Sequence, residues 1–279
     1  MNFELRETPA VVLAGGFGTR IQHLLPGVPK PMAPVNGRPF LEWIVRYLAK
    51  QGIRKVVIST GHLAEVVEKH FQKNPVKDVS TLCVPETSPL GTAGGFLNAV
   101  RASGEKPEAW IVLNGDSLAF ANLSAAAAML ERRAARPAGP FPPSGELQTG
   151  LVGRGGDGKA GETHGPTLAA GVVIGKPLAD ASRYGTLAAN AAGDLLRFEE
   201  KKPGSGVINT GIYLLRHSLV EQFPDRAPLS LEKDVFPALT ARKALLKVLV
   251  MDAPFLDIGT PESLPEADKF IRENFDQFA

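Results

Sequence analysis

Two hydrophobic periods take turns along this chain. Five apolar residues at 10–14 (AVVLA) stop at Gly15, Gly16 and Gly18, which predicts a buried strand running into a loop that a ligand can approach closely. From 40 to 51 (FLEWIVRYLAKQ) apolar residues recur at helical spacing and end at Gly52, a C-terminal cap signal. KVVIST at 55–60 is β-branched and apolar; after Gly61 a helical stripe runs through Leu63, Val66, Val67 and Phe71. A short strand near 79–84 precedes a turn-rich loop and a helix that starts near Thr92 or Ala93. WIVLNGDSLAF at 110–120 is a strand that discharges into Asn114, Gly115 and Asp116, and 121–135 is Ala-rich and helical. LAAGVVIG at 168–175 resumes as a strand. SLEKDVFPAL at 230–239 reads as a helix capped by Ser230, with Lys233 where a capping box would place an acid. Strands near 245–257 then lead into a last helix ending near Asn274. Strands alternating with helices predict βαβ units and a mixed, mainly parallel sheet in an α/β, Rossmann-like three-layer sandwich.

One stretch breaks the pattern. From 136 to about 167 the composition turns to Pro, Gly and polar residues (RPAGPFPPSGELQTGLVGRGGDGKAGETHGPT), which bury too little to form a core and predict an insert, mobile or a lid. Without a second core, residues 1–279 read as a single domain carrying that insert.

Composition narrows the partner. Thirty-one basic and 29 acidic residues leave a net charge of +2, so nothing in the charge favours nucleic acid or a membrane surface, and a small molecule is expected instead. No run of eighteen apolar residues and no N-terminal signal stretch is present, and the single Cys83 cannot form an intrachain disulfide; a reducing, cytoplasmic setting is expected.

The candidate chemistry gathers behind the first strand. Glycine amides at 15, 16 and 18, Arg20, and Lys30 held between Pro29 and Pro31 make a polyphosphate cradle of backbone donors and fixed cations. A dinucleotide fingerprint would need glycine at Ile21, and a P-loop needs a GK[ST] that is absent. Asp116 follows a strand in the place where open α/β sheets bind ligands. Taken alone, Glu200 and Lys201 in FEEK read as part of an exposed charge run, and Asn209 is an amide that can donate and accept. His62 and His70 flank a helix and read as solvated or capping residues.

LAGGFGTR followed by PKPMAPVNGRPFLEW resembles the signature of the sugar-1-phosphate nucleotidyltransferases, and PLGTAGG, NGDS, RYG, FEEK, NTGIY and DIGT are similar to that family's later motifs in the same order. The insert departs from it. The resemblance implies transfer of a nucleotidyl group from a nucleoside triphosphate to a sugar 1-phosphate with release of pyrophosphate. It implies catalytic roles for Arg20 and Lys30 and a nucleotide site at Leu13, Ala14, Gly15, Gly16, Gly18, Thr19, Glu86, Gly91 and Thr92. Sugar-phosphate contacts would come from Asn114, Gly185, Glu200, Lys201 and Asn209, and Mg²⁺ would bind Asp116 and Asp257. Within the family the chain is most similar to the heptose 1-phosphate guanylyltransferases. Glu86 favours GTP, because a carboxylate accepts from guanine's adjacent N1–H and N2–H₂. Three questions stay open: a UTP-dependent enzyme for N-acetylmuramic acid or hexose 1-phosphates, a catalytically silent nucleotide-sugar-sensing subunit, and whether the chain forms a homo-oligomer.

Overall fold

The computed structural model describes residues 4–134, 167–199, 201 and 203–278. Almost all of the insert, together with Glu200, lies outside the described residues.

Fifteen strands are described: β1 (Ala10–Ala14), β2 (Pro34–Val35), β3 (Arg38–Pro39), β4 (Lys55–Thr60), β5 (Ser80–Pro85), β6 (Ala109–Asn114), β7 (Ser117–Ala119), β8 (Arg133–Ala134), β9 (Thr167–Leu168), β10 (Gly171–Leu178), β11 (Thr186–Ala189), β12 (Leu195–Glu199), β13 (Gly206–Arg216), β14 (Leu246–Val250) and β15 (Phe255–Asp257). The helices are α1 (Phe40–Lys50), α2 (Ala64–Lys73), α3 (Gly91–Ser103), α4 (Leu123–Glu131), α5 (His217–Val220), α6 (Phe236–Ala241) and α7 (Glu266–Glu273). The main sheet has nine strands in the order β12-β11-β13-β6-β1-β4-β5, with β10 and β14 joined through β13. Its N-terminal half, β6-β1-β4-β5, is wholly parallel, and β13 joins it antiparallel to β6.

The central strands are apolar on both faces because both are covered. Ala10 and Val12 of β1 pack into one core with Ile58 and Ile111, whereas Val11 packs into the other with Val57, Trp110 and Val112. Helices α1, α2, α4 and α7 seal the first face, and α3, α5 and α6 the second. The expected three-layer arrangement is the one observed.

Helix α1 is buried nearly all round, including Glu42 at 2% exposure. That carboxylate accepts bonds from Arg38 (2.7 Å) and Arg46 (2.8 Å) and meets His70 of α2 at 2.8 Å. Burial pushes the Glu42 pKa up, but Arg46, His70 and Arg38 together outweigh burial and leave it lowered. His70 therefore links two helices, while His62 is exposed beside Phe17.

Three boundaries depart from the sequence expectation. The Ala-rich helix ends at Glu131 rather than 135, because Arg133 and Ala134 leave to pair with Leu168 and Thr167. That two-residue ladder closes the base of the insert. The strand expected at 168–175 is divided between β9 and β10. The helix expected from 230 begins with a π-helical turn, Leu231–Val235. Ser230 caps it through the Lys233 N–H (3.1 Å), and the reciprocal acid stands one residue later than in a capping box: Asp234 accepts from the Ser230 N–H at 2.8 Å.

Candidate active site

The parallel strands point their carboxyl ends at one edge, and two adjoining clefts open there. The larger, about 410 Å³, is lined among others by Arg20, Lys30, Arg183, Gly185, Lys201 and Asn209. The smaller, about 290 Å³, is lined by Gly15, Phe17, Glu86, Pro89, Gly91 and Thr92. Leu13, Gly16, Asn114 and Asp116 line both, so the clefts meet over the ends of β1 and β6.

The loop after β1 bends tightly. Gly18 has a φ of +60°, and a side chain there would run into the Lys30 side chain. Gly15 lies so close to Glu86 that a Cβ would overlap its carboxylate. Ala14, Gly16, Gly18 and Thr19 line the larger cleft with Leu13. Arg20 stands exposed at its wall, without an ion-pair partner among the described residues.

Lys30 behaves differently from Arg20. It is 9% exposed, and its Nζ lies 2.6 Å from Asp116 Oδ2 and 3.9 Å from Asp257 Oδ1. The two carboxylates are brought together by the β7–β15 ladder, in which Asp257 stands opposite Ser117 and the Ile258 N–H donates to the Asp116 carbonyl at 3.0 Å. Burial raises the Asp257 pKa from its ordinary value, and the Asp116 charge adds to that; Lys30, the Gly259 N–H (2.7 Å) and Arg183 oppose it. Sequence reading pairs Lys30 with a triphosphate, whereas here its ammonium joins the two aspartates.

That pair fits a hard divalent cation. The donors are two carboxylates, and a Cβ at Gly259 would come within 2.7 Å of Asp257 Oδ1 and 3.0 Å of Lys30 Nζ, so glycine keeps the space open. No group of three or more His, Cys, Asp or Glu gathers among the described residues. One or two carboxylates completed by phosphate and water oxygens is the manner in which Mg²⁺ is bound.

In the smaller cleft, Glu86 Oε1 accepts from Ser59 Oγ at 2.8 Å and Oε2 accepts from the Leu90 N–H at 3.1 Å. Each oxygen keeps a lone pair, so the carboxylate both ties the loop to β4 and retains acceptor capacity. Gly91 opens α3 at a φ of +75°, and a side chain there would collide with the Leu229 carbonyl. That carbonyl accepts from the N–H groups of Ala93 and Gly94 (2.9 and 3.1 Å), so the helix start is already capped. Thr92 donates to Glu232 at 2.8 Å.

In the larger cleft, the Gly185 carbonyl accepts from the Asn209 N–H at 2.9 Å and holds the 183–185 loop against β13. Lys201 is exposed on the cleft wall. The structure thus brings together every candidate site residue except Glu200, which lies outside the described residues. Arg183, Tyr184, Ser117, Thr210 and Gly259 also line this cleft, each inside a motif whose neighbour attracted the reading. Phe255 carries no local signal; the β7–β15 pairing places it.

Two clefts meeting at an acidic pair and a glycine-rich loop can seat two ligands against one another. The chain belongs to the nucleotidyl transferase family, whose model matches residues 9–144 and 159–274. It is 32% identical over 254 residues to the D-glycero-alpha-D-manno-heptose 1-phosphate guanylyltransferase of Campylobacter jejuni, spanning 91% of this chain and 95% of that one. The enzyme of the same name from Aneurinibacillus thermoaerophilus is 31% identical over 264 residues, spanning 94% and 98%. The crystal structure of HddC from Yersinia pseudotuberculosis complexed with GMP-PN matches with a TM-score of 0.72 at 26% identity, over 94% of this chain and 98% of that one.

Proposed function

We propose that this chain, acting as one domain, transfers the guanylyl group of GTP to the 1-phosphate of a heptose or hexose, giving a GDP-sugar and pyrophosphate. The observation that carries the reading is the junction of the two clefts at Asp116, where Lys30 is bracketed by two carboxylates. The nucleoside would lie in the smaller cleft, the sugar phosphate in the larger, and the triphosphate over the loop after β1.

The reaction is in-line attack of a sugar-phosphate oxygen on the α-phosphorus. The new P–O bond forms as the bond to the β-phosphate bridging oxygen breaks, and pyrophosphate leaves with that electron pair. Positioning and charge neutralisation supply most of the catalysis in such transfers. Arg20 would hold the triphosphate and offset charge developing toward pyrophosphate, while Lys30 would shift from the aspartates toward phosphate oxygen. Asp116 and Asp257 would hold Mg²⁺, which supplies charge neutralisation for the phosphates when bound. Asn209 and Lys201, with Arg183 beside them, would seat the sugar phosphate. The remaining lone pairs of Glu86 would accept from guanine N1–H and N2–H₂. A reducing cytoplasm suits the half-buried Cys83, whose thiol burial pushes up to about 11.

The deciding assay offers GTP, UTP, ATP and dTTP against mannose, glucose, N-acetylmuramic acid and heptose 1-phosphates with Mg²⁺, read by pyrophosphate release. GTP with a heptose or hexose phosphate should give the highest kcat/KM. A preference for UTP would favour the uridylyl reading, and no turnover with any pair would favour a sensing subunit.

A further inference from the structure

We propose that Glu232, which lines neither cleft, is a positioning residue whose single carboxylate fixes the hydrogen-bonding polarity of Asn209 on the sugar side and Thr92 on the nucleoside side. The assignment rests on the transferase reading above and extends it to how the two subsites are set.

Glu232 stands in the π-helical turn after Ser230 and accepts three bonds. Tyr213 Oη lies 3.0 Å from Oε1, while Thr92 Oγ1 (2.8 Å) and Ser230 Oγ (2.9 Å) reach Oε2. An ionised carboxylate has no proton to give, so all three hydroxyls must donate to it. Each hydroxyl is then left with acceptor capacity only, and both arms follow from that.

On the sugar side, Tyr213 is fully buried, and burial followed by the Glu232 charge raises its pKa well above the ordinary phenol value, so it keeps its proton. With that proton aimed at Glu232, Tyr213 Oη can only accept from Asn209, which lies 2.7 Å away through Nδ2. The other end of the amide is held as well, since Asn209 Oδ1 accepts from the Gly211 N–H at 3.1 Å. The amide cannot turn over without losing both bonds. It therefore offers the larger cleft one remaining N–H and one remaining oxygen lone pair in a fixed order.

On the nucleoside side, Thr92 Oγ1 gives its proton to Glu232 and accepts from the Leu231 N–H at 2.8 Å. Toward the smaller cleft it keeps one lone pair, so it presents an acceptor. A glutamine at 232 would break the pattern. Its amide nitrogen would have to face either Tyr213, driving that phenol proton toward Asn209 and turning the amide against Gly211, or Thr92 and Ser230, whose protons would have nowhere to go.

The test uses the full chain, steady-state kinetics with the best substrate pair from the nucleotide and sugar-phosphate panel, and the unfolding midpoint of each variant. Tyr213→Phe should raise KM for the sugar 1-phosphate about tenfold, the cost of one polar bond, and leave KM for the nucleotide within about twofold. Thr92→Val should do the reverse. Glu232→Gln should raise only the KM of the side its nitrogen faces, and adding Tyr213→Phe should worsen the sugar-phosphate KM little where that side is the sugar's and about tenfold where it is the nucleoside's. If Glu232→Gln does not fold, the opposite KM shifts of Tyr213→Phe and Thr92→Val carry the test. An active wild type whose variants lower the unfolding midpoint without splitting the two KM values would overturn the positioning role. A wild type that turns over no pair would overturn the transferase reading, and this assignment with it.

Discussion

Replacing Lys30 by Met takes the one ammonium out from between two carboxylates and leaves a side chain of similar length. A unit charge pair at 4 Å is worth ~4 kcal/mol at an effective dielectric near 20. Asp116 is 40% exposed and Asp257 21% exposed, so water screens much of that, and the lysine no longer has to be desolvated. Between the range for exposed pairs and that for broken buried pairs, a net loss of about 1 to 3 kcal/mol follows, or roughly 2 to 4 °C in Tm for each kcal/mol. The loss should depend on pH. Asp257 has a raised folded-state pKa, which favours the fold while the carboxyl is protonated and loses that contribution as pH climbs through the raised value. Without Lys30 the value rises further, so the deficit should be largest at neutral pH and shrink toward acid. Mg²⁺ should replace the missing cation. Thermal unfolding of wild type and Lys30→Met, each with and without Mg²⁺ and without substrate, should show the larger metal-induced rise in Tm for the variant. Equal rises would refute the idea that ammonium and metal compete for one acidic pair. Turnover should be lost either way.

Asp116→Asn and Asp257→Asn should each abolish Mg²⁺-dependent pyrophosphate release while circular dichroism stays native; near wild-type rates at limiting Mg²⁺ would argue against a two-carboxylate site. Replacing 137–166 by a short Gly/Ser linker should leave a cooperatively folding protein, because Arg133 and Ala134 pair with Leu168 and Thr167 and bring the ends together; loss of cooperative unfolding would show that the segment packs. Glu86→Gln should narrow the ratio of kcat/KM for GTP over UTP by about ten- to a hundredfold, since an amide serves either base edge. An unchanged ratio would leave Glu86 only its bonds to Ser59 and Leu90. Glu42→Gln should cost about 3 to 5 kcal/mol in denaturant unfolding at pH 7. Because the folded-state pKa of Glu42 is depressed, that gap should be present above the ordinary carboxylate range and close as pH falls through the folded value.

The fold was readable where period and punctuation agreed. Strand β1 ends at the glycines that follow it, β4 at Gly61, and α1 one residue short of the expected end, because those limits are set by local backbone chemistry. The α4 boundary was not readable: two residues that favour helix locally are drawn into a ladder with residues beyond the insert. The π-helical turn was hidden for a similar reason, since its acid at Asp234 answers Ser230 one place later than the familiar spacing. The site divides the same way. Its glycines, cations and aspartates sit in compact motifs. Phe255, the Lys30 bridge to two aspartates and the Glu232 hub depend on partners far away in sequence, which no window of residues contains.

The ladder between β7 and β15 is three residues long and joins Ser117–Ala119 to Phe255–Asp257, which bears on when the protein becomes active. During synthesis the parallel strands β1, β4, β5 and β6 leave the ribosome in a block within residues 10–114, and most of the lining of the smaller cleft comes with them. Asp257 follows only after the whole remaining sheet. Contacts between such distant segments carry the full loop-closure cost and form late. A growing chain would therefore carry most of the smaller cleft well before it holds Asp257 beside Asp116, and the site of the proposed reaction would be complete only once the last strand has docked.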